Sequence, residues 1–225
     1  VFLKGVPEYG PGIMWYPHEW FEPEEITYQL EGFKKAGIKD FFIQSSLGLR
    51  IEYLSDTYFE RIKHVVREAE RLGLNYWIYD EYEYPSGTAG GKVIRDHPWA
   101  RAVQVVMLKL DADPGESITH ELPSIDKYNV DILRCCILKD DVLSETEIEI
   151  SDDKVIWTNH SGMKASLLVF FKMWSSGPCP AHLGTEFSWG QEGLLDALDE
   201  EAVRLFIEYT HERYKKEIGE YFGTI

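Results

Sequence analysis

The sequence predicts an α/β fold in which βα units around a parallel sheet are interrupted by an all-β insertion. Two observations carry this. Over the first hundred residues short apolar runs alternate with amphipathic helical patterns, at about 30 residues per unit. After Arg101 the pattern changes to β-rich runs with polar turns between them, and helical material returns only near the C-terminal end.

Gly12 to Tyr16 reads as a first strand. A helix opens at Pro23, suited to a first helical position, carries Ile26, Leu30 and Phe33 on one face, and ends at Gly37. Phe41 to Ser45 has the continuous apolar character of a strand buried on both faces. Ser55 caps a second helix in which Phe59, Ile62, Val66, Ala69 and Leu72 recur at three- and four-residue steps until Gly73. Tyr76 to Asp80 is the third strand. Three strands separated by single helices fit either a (β/α)8 barrel or a doubly wound sheet. Val103 to Leu110, Val130 to Leu138, Glu145 to Ile150, Val155 to Thr158 and Leu167 to Trp174 then read as strands of a small sandwich or meander. Asp199 caps a last helix with Val203, Phe206, Ile207, Thr210 and Tyr214 facing inward and Gly219 as its stop. The expected organisation is residues 1–101 as three βα units, 102–184 as the insertion, and 185–225 as a helix and the start of a fourth strand. A barrel takes about 250 residues, and removing about 85 for the insertion leaves about 140, so at most half a barrel is expected in this chain.

Composition excludes several classes of function. The 225 residues are 44% hydrophobic and 28% charged, and no apolar run approaches the ~18 residues of a membrane span. Asp and Glu number 39 against 23 Lys and Arg, a net charge of −16. A nucleic-acid surface would have to be built against that field, so neither nucleic acid nor membrane is an expected partner. Cys135 and Cys136 are adjacent and poorly placed to bridge each other, and the odd total of three cysteines points to free thiols and a reducing compartment. No signal-type segment opens the chain, which favours the cytoplasm or a piece of a longer protein. Aromatic residues make up 14% of the chain, with seven Trp and thirteen Tyr, as in sugar-binding clefts and in ordinary cores alike.

The densest polar cluster runs from Tyr79 to Gly91 and follows a strand directly. That places Asp80 and Glu81 at a strand's C-terminal end, where parallel α/β folds build their active sites. Neighbouring strand residues point to opposite sides, so one carboxylate is expected in the site and the other in a supporting contact. A carboxylic acid can protonate a leaving oxygen or act as base or nucleophile, and aromatic packing raises its pKa. Acids at such junctions are more often solvated turn residues or caps. Gly87, Gly90 and Gly91 fail as a phosphate cradle, because Lys92 is followed by Val93 rather than Ser or Thr. The first strand ends in Trp15-Tyr16-Pro17-His18 and the second in Gln44-Ser45-Ser46, which supply stacking faces and hydroxyl-binding groups. For Trp15, core packing and substrate stacking are equal readings. For His18 a structural hydrogen bond is the commoner role. Spacing assigns no metal site: H-E-x-x-H, C-x-x-C and EF-hand patterns are missing, and the acids Asp80, Glu81 and Glu83 are a thin calcium signal. Asn159-His160-Ser161 matches a glycosylation sequon, which matters only in a secreted protein.

At the Tyr79 to Gly91 cluster the sequence resembles the α-L-rhamnosidase-like glycoside hydrolase family 106 and its uncharacterised relatives. The resemblance lies in Asp80-Glu81 followed by Pro85-Ser86-Gly87-Thr88-Ala89-Gly90-Gly91, with Glu25 to Gly37, Tyr53-Leu54-Ser55 and Leu72-Gly73-Leu74 before it. Leu198 to Val203, Thr210 to Tyr214 and Tyr221-Phe222-Gly223 extend it, whereas the insertion carries nothing specific. It implies a partial (β/α)8 TIM barrel interrupted by an all-β insertion, acting on a carbohydrate substrate, with calcium used by the rhamnosidase members and no cofactor demanded by the sequence itself. Glu81 is then expected as acid/base or electrostatic residue and Asp80 as its partner in orienting substrate or metal. Trp15, Tyr16, His18, Gln44, Tyr82, Glu83 and Ser86 are expected to line the subsite. The resemblance also implies a fourth strand with a further acidic element beyond Ile225, so the second carboxylate is expected there, with Glu83 a possible substitute, while the exposed sheet edge is expected to meet the remaining barrel half or to self-associate. The alternative is a carbohydrate-binding or scaffold protein without turnover. A metal-dependent lyase or aldolase would call for further His or Lys at strand ends, which the sequence does not show.

Overall fold

Pro23 removes a backbone N–H that a helix start leaves unpaired anyway. Glu24 and Glu25 follow it in the first turn, and Lys34 and Lys35 lie in the last, so both ends of α1 (Pro23–Lys35) carry charges that oppose the helix dipole. In α2 (Asp56–Leu72) the Ser55 hydroxyl accepts from the Tyr58 N–H, and Gly73 ends the helix in the left-handed conformation, at φ 66°. These features come from a computed structural model, which describes residues 10–46, 48–82, 86, 87, 89–124, 129–175 and 194–224. The chain divides into two units, residues 1–100 with 178–225, and residues 101–177.

In the first unit β1 (Gly12–Trp15), β2 (Asp40–Ile43) and β3 (Asn75–Trp77) form a parallel sheet in that order. Its register sets Ile13, Phe41 and Tyr76 side by side, with Trp15 beside Ile43. These residues face α1 and α2, whose Ile26, Leu30, Phe59, Ile62 and Val66 complete a single apolar core. After β3 come a short helix α3 (Lys92–Asp96) and a 3-10 turn over Pro98–Ala100. The C-terminal helical stretch, expected as one helix, is two: α4 (Glu200–Tyr209), capped by the Asp199 carboxylate, and α5 (His211–Ile218). The break falls at Thr210, whose φ of −109° and ψ of −85° leave the helical region. Thr210 and Tyr214 are buried as expected, whereas Ile207 is exposed.

The second unit is antiparallel. β4 (Val103–Ala112), β6 (Asp131–Lys139), β7 (Val142–Glu145) and β10 (Ala165–Trp174) make one sheet in the order β4-β10-β6-β7. β5 (Ser117–Glu121), β8 (Glu149–Ser151) and β9 (Lys154–Thr158) make another, β5-β9-β8. Val155, Trp157, Leu167, Val169 and Phe171 lie in the core of this unit. Cys135 and Cys136 remain free thiols on β6.

The partial (β/α)8 barrel expected from the sequence is therefore corrected. Among the described residues, the parallel strands are three, of four, four and three residues, and the other seven strands pair antiparallel. Among the same residues, no βα alternation continues past β3. The 30-residue rhythm reports local βα units, but barrel closure is a long-range property that a local period does not carry.

The opposite face of the parallel sheet is uncovered among the described residues. Its central row is Met14, Phe42 and Trp77, with Met14 41% and Trp77 62% exposed. An open apolar row on a sheet with free edges predicts concentration-dependent self-association of the chain. Light scattering across a dilution series checks this, and a monodisperse monomer at every concentration would overturn it.

Candidate functional site

In a parallel, in-register sheet the C-terminal ends of all strands lie on one side. Tyr16 leaves β1 there, Gln44, Ser45 and Ser46 leave β2, and Asp80, Glu81 and Tyr82 follow β3. The strand extensions are sewn together by backbone pairing. Gln44 N–H donates to the Trp15 carbonyl at 3.0 Å, and Ser45 bridges Tyr82 in parallel fashion. The Tyr82 hydroxyl adds a bond to the Ser46 carbonyl at 2.9 Å. Because β3 ends at Trp77 rather than Asp80, strand alternation does not decide where the two acids point. The loop does.

Glu81 is fully buried, at 0% exposure, and its carboxylate is surrounded by backbone donors. Oε1 accepts from Tyr82 N–H at 2.7 Å and Gly90 N–H at 2.5 Å. Oε2 accepts from Gly87 and Ala89 N–H, both at 2.9 Å. Four N–H donors match the roughly four lone-pair sites of an acceptor-only carboxylate. Asp80 is half-buried, and its Oδ1 accepts from the Ser86 hydroxyl at 3.0 Å. The acid pair is thus divided between a buried group enclosed by backbone and a partly accessible one that accepts from Ser86.

The fold is similar to that of a rhamnosidase. The rhamnosidase from Novosphingobium sp. PP1Y superposes with a TM-score of 0.53 over 97% of this chain, at 11% sequence identity. At that identity the likeness is one of fold, and the chain spans 37% of the rhamnosidase's length. No protein-family model matches the sequence, and no curated protein matches it.

The remaining expected residues do not all reach the acid pair. Trp15 is buried edge-on against Phe21, Phe33 and Phe41, at ring separations of 5.2, 5.5 and 6.1 Å, and it also borders the cavity that Tyr16 and His18 line. Tyr82 is likewise buried, its ring against Tyr53. Gln44 is buried, and the adjacent Ser45 donates its hydroxyl to Tyr58 Oη at 3.1 Å. Tyr16 and His18 are exposed and line a separate cavity of about 300 Å³ with Trp20, Glu25 and Gln29. His18 packs on Gly48, where a Cβ would stand 2.5 Å from its Nδ1, so Gly48 has to be glycine. Glu83 lies outside the described residues, as do Pro85 and Thr88 of the motif.

Among the described residues the acid pair offers no calcium donor set. Both Glu81 oxygens are occupied by N–H groups that a cation would have to displace. Among the described residues no three His, Cys, Asp or Glu side chains converge as metal ligands. Likewise, no helix among the described residues is long and apolar enough to cross a membrane. What residue types alone did not reveal is the role of the backbone at Gly87, Ala89 and Gly90. Its signal was the glycine run itself, since Gly87, Gly90 and Gly91 all adopt positive φ, as does Ala89 at 52°.

Proposed function

We propose that the chain is part of a glycoside hydrolase that cleaves a glycan or glycoside, an α-L-rhamnoside being the first substrate to test, by carboxylate acid/base chemistry. The observation that carries this reading is the likeness of fold to a rhamnosidase over nearly the whole chain. Supporting it, the segment after β3 holds the half-buried Asp80 carboxylate beside the exposed Ser86 hydroxyl, groups of the kind that grip sugar hydroxyls. Asp80 is the carboxylate we assign to the reacting glycoside. Glycoside hydrolysis takes a second carboxylate on the other side of the scissile bond, and Glu83 is its nearest candidate in sequence.

The test is an assay of the full-length protein with a panel of aryl glycosides that includes 4-nitrophenyl α-L-rhamnoside. Asp80→Asn should lower kcat/KM by about 100-fold, the lower range for losing an acid/base group. An Asp80→Asn variant with unchanged turnover would remove Asp80 from the chemistry. Sugar binding by calorimetry with no turnover on any aryl glycoside would replace the reading by a carbohydrate-binding protein.

A further inference from the structure

We infer that Glu81 is a positioning residue, the internal template on which Gly87, Ala89 and Gly90 are arranged and through which Ser86 is held against Asp80. This rests on the reading of Asp80 as the carboxylate that meets the glycoside.

The loop has a backbone problem that Glu81 solves. Ala89 and Gly90 are buried, and a buried N–H without an acceptor is costly. Their positive φ values of 52° and 65° turn these N–H groups inward, away from any strand or helix ladder, toward one point. Converging backbone N–H groups make an anion-binding concavity. Here the anion is the protein's own side chain, with Gly87, Ala89 and Gly90 reaching it from the loop and Tyr82 from the chain before it. Ser86 precedes Gly87 directly. Fixing the Gly87 N–H on Glu81 Oε2 therefore also fixes the serine whose hydroxyl bonds Asp80 Oδ1. A carboxylate whose two oxygens are taken up by backbone N–H groups in this way presents no lone pair to a substrate. The geometry exchanges the roles expected from sequence: Asp80 meets the substrate and Glu81 shapes the loop that orients it.

Hydrogen exchange and side-chain carboxyl 13C spectra of Glu81→Gln and Ser86→Ala variants test this without any turnover. A glutamine offers one acceptor oxygen and sets an NH2 against two of the N–H groups. Exchange at Gly87, Ala89 and Gly90 should quicken about 100-fold while α1 and α2 amides stay as in the parent. The Asp80 carboxyl resonance should move in both variants in the same direction, a signature that a purely structural role for Glu81 would not produce. Parent-like exchange in Glu81→Gln, or an Asp80 resonance that moves in neither variant, overturns the inference. Exchange accelerated throughout α1 and α2 as well would make Glu81 a residue of the core and overturn it too. Activity that depends on Asp80 with none of these loop effects would sink this inference and leave the glycoside hydrolase reading standing.

Discussion

Asn159→Asp is expected to destabilise the antiparallel unit by about 3–5 kcal/mol, the usual cost of breaking a buried polar network and leaving a charge unpaired. Asn159 is completely buried, at 0% exposure, and every polar atom of its side chain is used. Nδ2 donates to the Ala112 carbonyl at 2.9 Å and to the Met163 carbonyl at 2.8 Å. Oδ1 accepts from Ser161 N–H at 3.0 Å and from its hydroxyl at 2.6 Å. Its backbone pairs in addition with Gly115 and Glu116, ahead of β5. One residue thus ties the end of β4 and the turn before β10, in one sheet, to the ends of β9 and β5 in the other. Aspartate keeps the shape but turns two donors into acceptors that face carbonyl oxygens, so the cost comes from repulsion and burial rather than from a cavity. Urea unfolding followed by tryptophan fluorescence should show the midpoint lowered by about 2 M, for an m-value of about 2 kcal/mol/M. An unchanged midpoint would refute the network. The same geometry changes the meaning of the sequon, because the nitrogen that would carry a glycan is the one bonded to Ala112 and Met163.

What the sequence made legible were the features encoded within a few residues. Pro23, Ser55 and Asp199 announced helix starts, and Gly73 a helix stop, because capping is a local geometry with few suitable side chains. β5 escaped, since Ser117 to Glu121 is polar and mostly exposed and carries no apolar alternation. The run from Glu145 to Ile150, read as one strand, is divided between β7 and β8 in different sheets. A chain crossing between sheets keeps its β-type composition, so only pairing partners distinguish the two. At the site the acid pair was visible, but the contrast between a buried, backbone-enclosed Glu81 and a half-buried Asp80 was not. It depends on where β3 stops and on backbone N–H groups, and a backbone donor has no letter in the sequence. Trp15 was undecidable for a related reason: stacking on a ligand and stacking on Phe21, Phe33 and Phe41 demand the same ring.

Alkaline pH should unfold the first unit in a steep step near pH 11. Tyr53, Tyr58, Tyr76 and Tyr214 are buried together beneath the strand ends. The hydroxyls of Tyr58 and Tyr214 lie 2.9 Å apart, and Ser45 adds a bond to Tyr58 at 3.1 Å. Burial pushes the phenols of Tyr53, Tyr76 and Tyr214 well above their ordinary value of 10, and the neighbouring Tyr58 phenol pushes each further in the same direction. Tyr58 is raised by burial too, while its bonds to Ser45 and Tyr214 pull the other way. The native chain therefore keeps four protons that the unfolded chain releases above pH 10. Raised values of this kind stabilise fully below pH 10, and that contribution is lost as pH climbs toward the folded-state values. Each phenol removes up to about 1.4 kcal/mol per pH unit, so Tyr53, Tyr76 and Tyr214, whose values are raised furthest, together remove about 4 kcal/mol by pH 11. That approaches the whole stability of a modest domain. Tyrosinate absorbance and helical circular dichroism should then change in one shared transition, with proton release driving the unfolding. A Tyr53→Phe/Tyr76→Phe double variant leaves half of those protons and should unfold at a higher pH with a shallower slope. Helical signal persisting while all four phenols ionise would show that water reaches them in the native fold and would refute their burial.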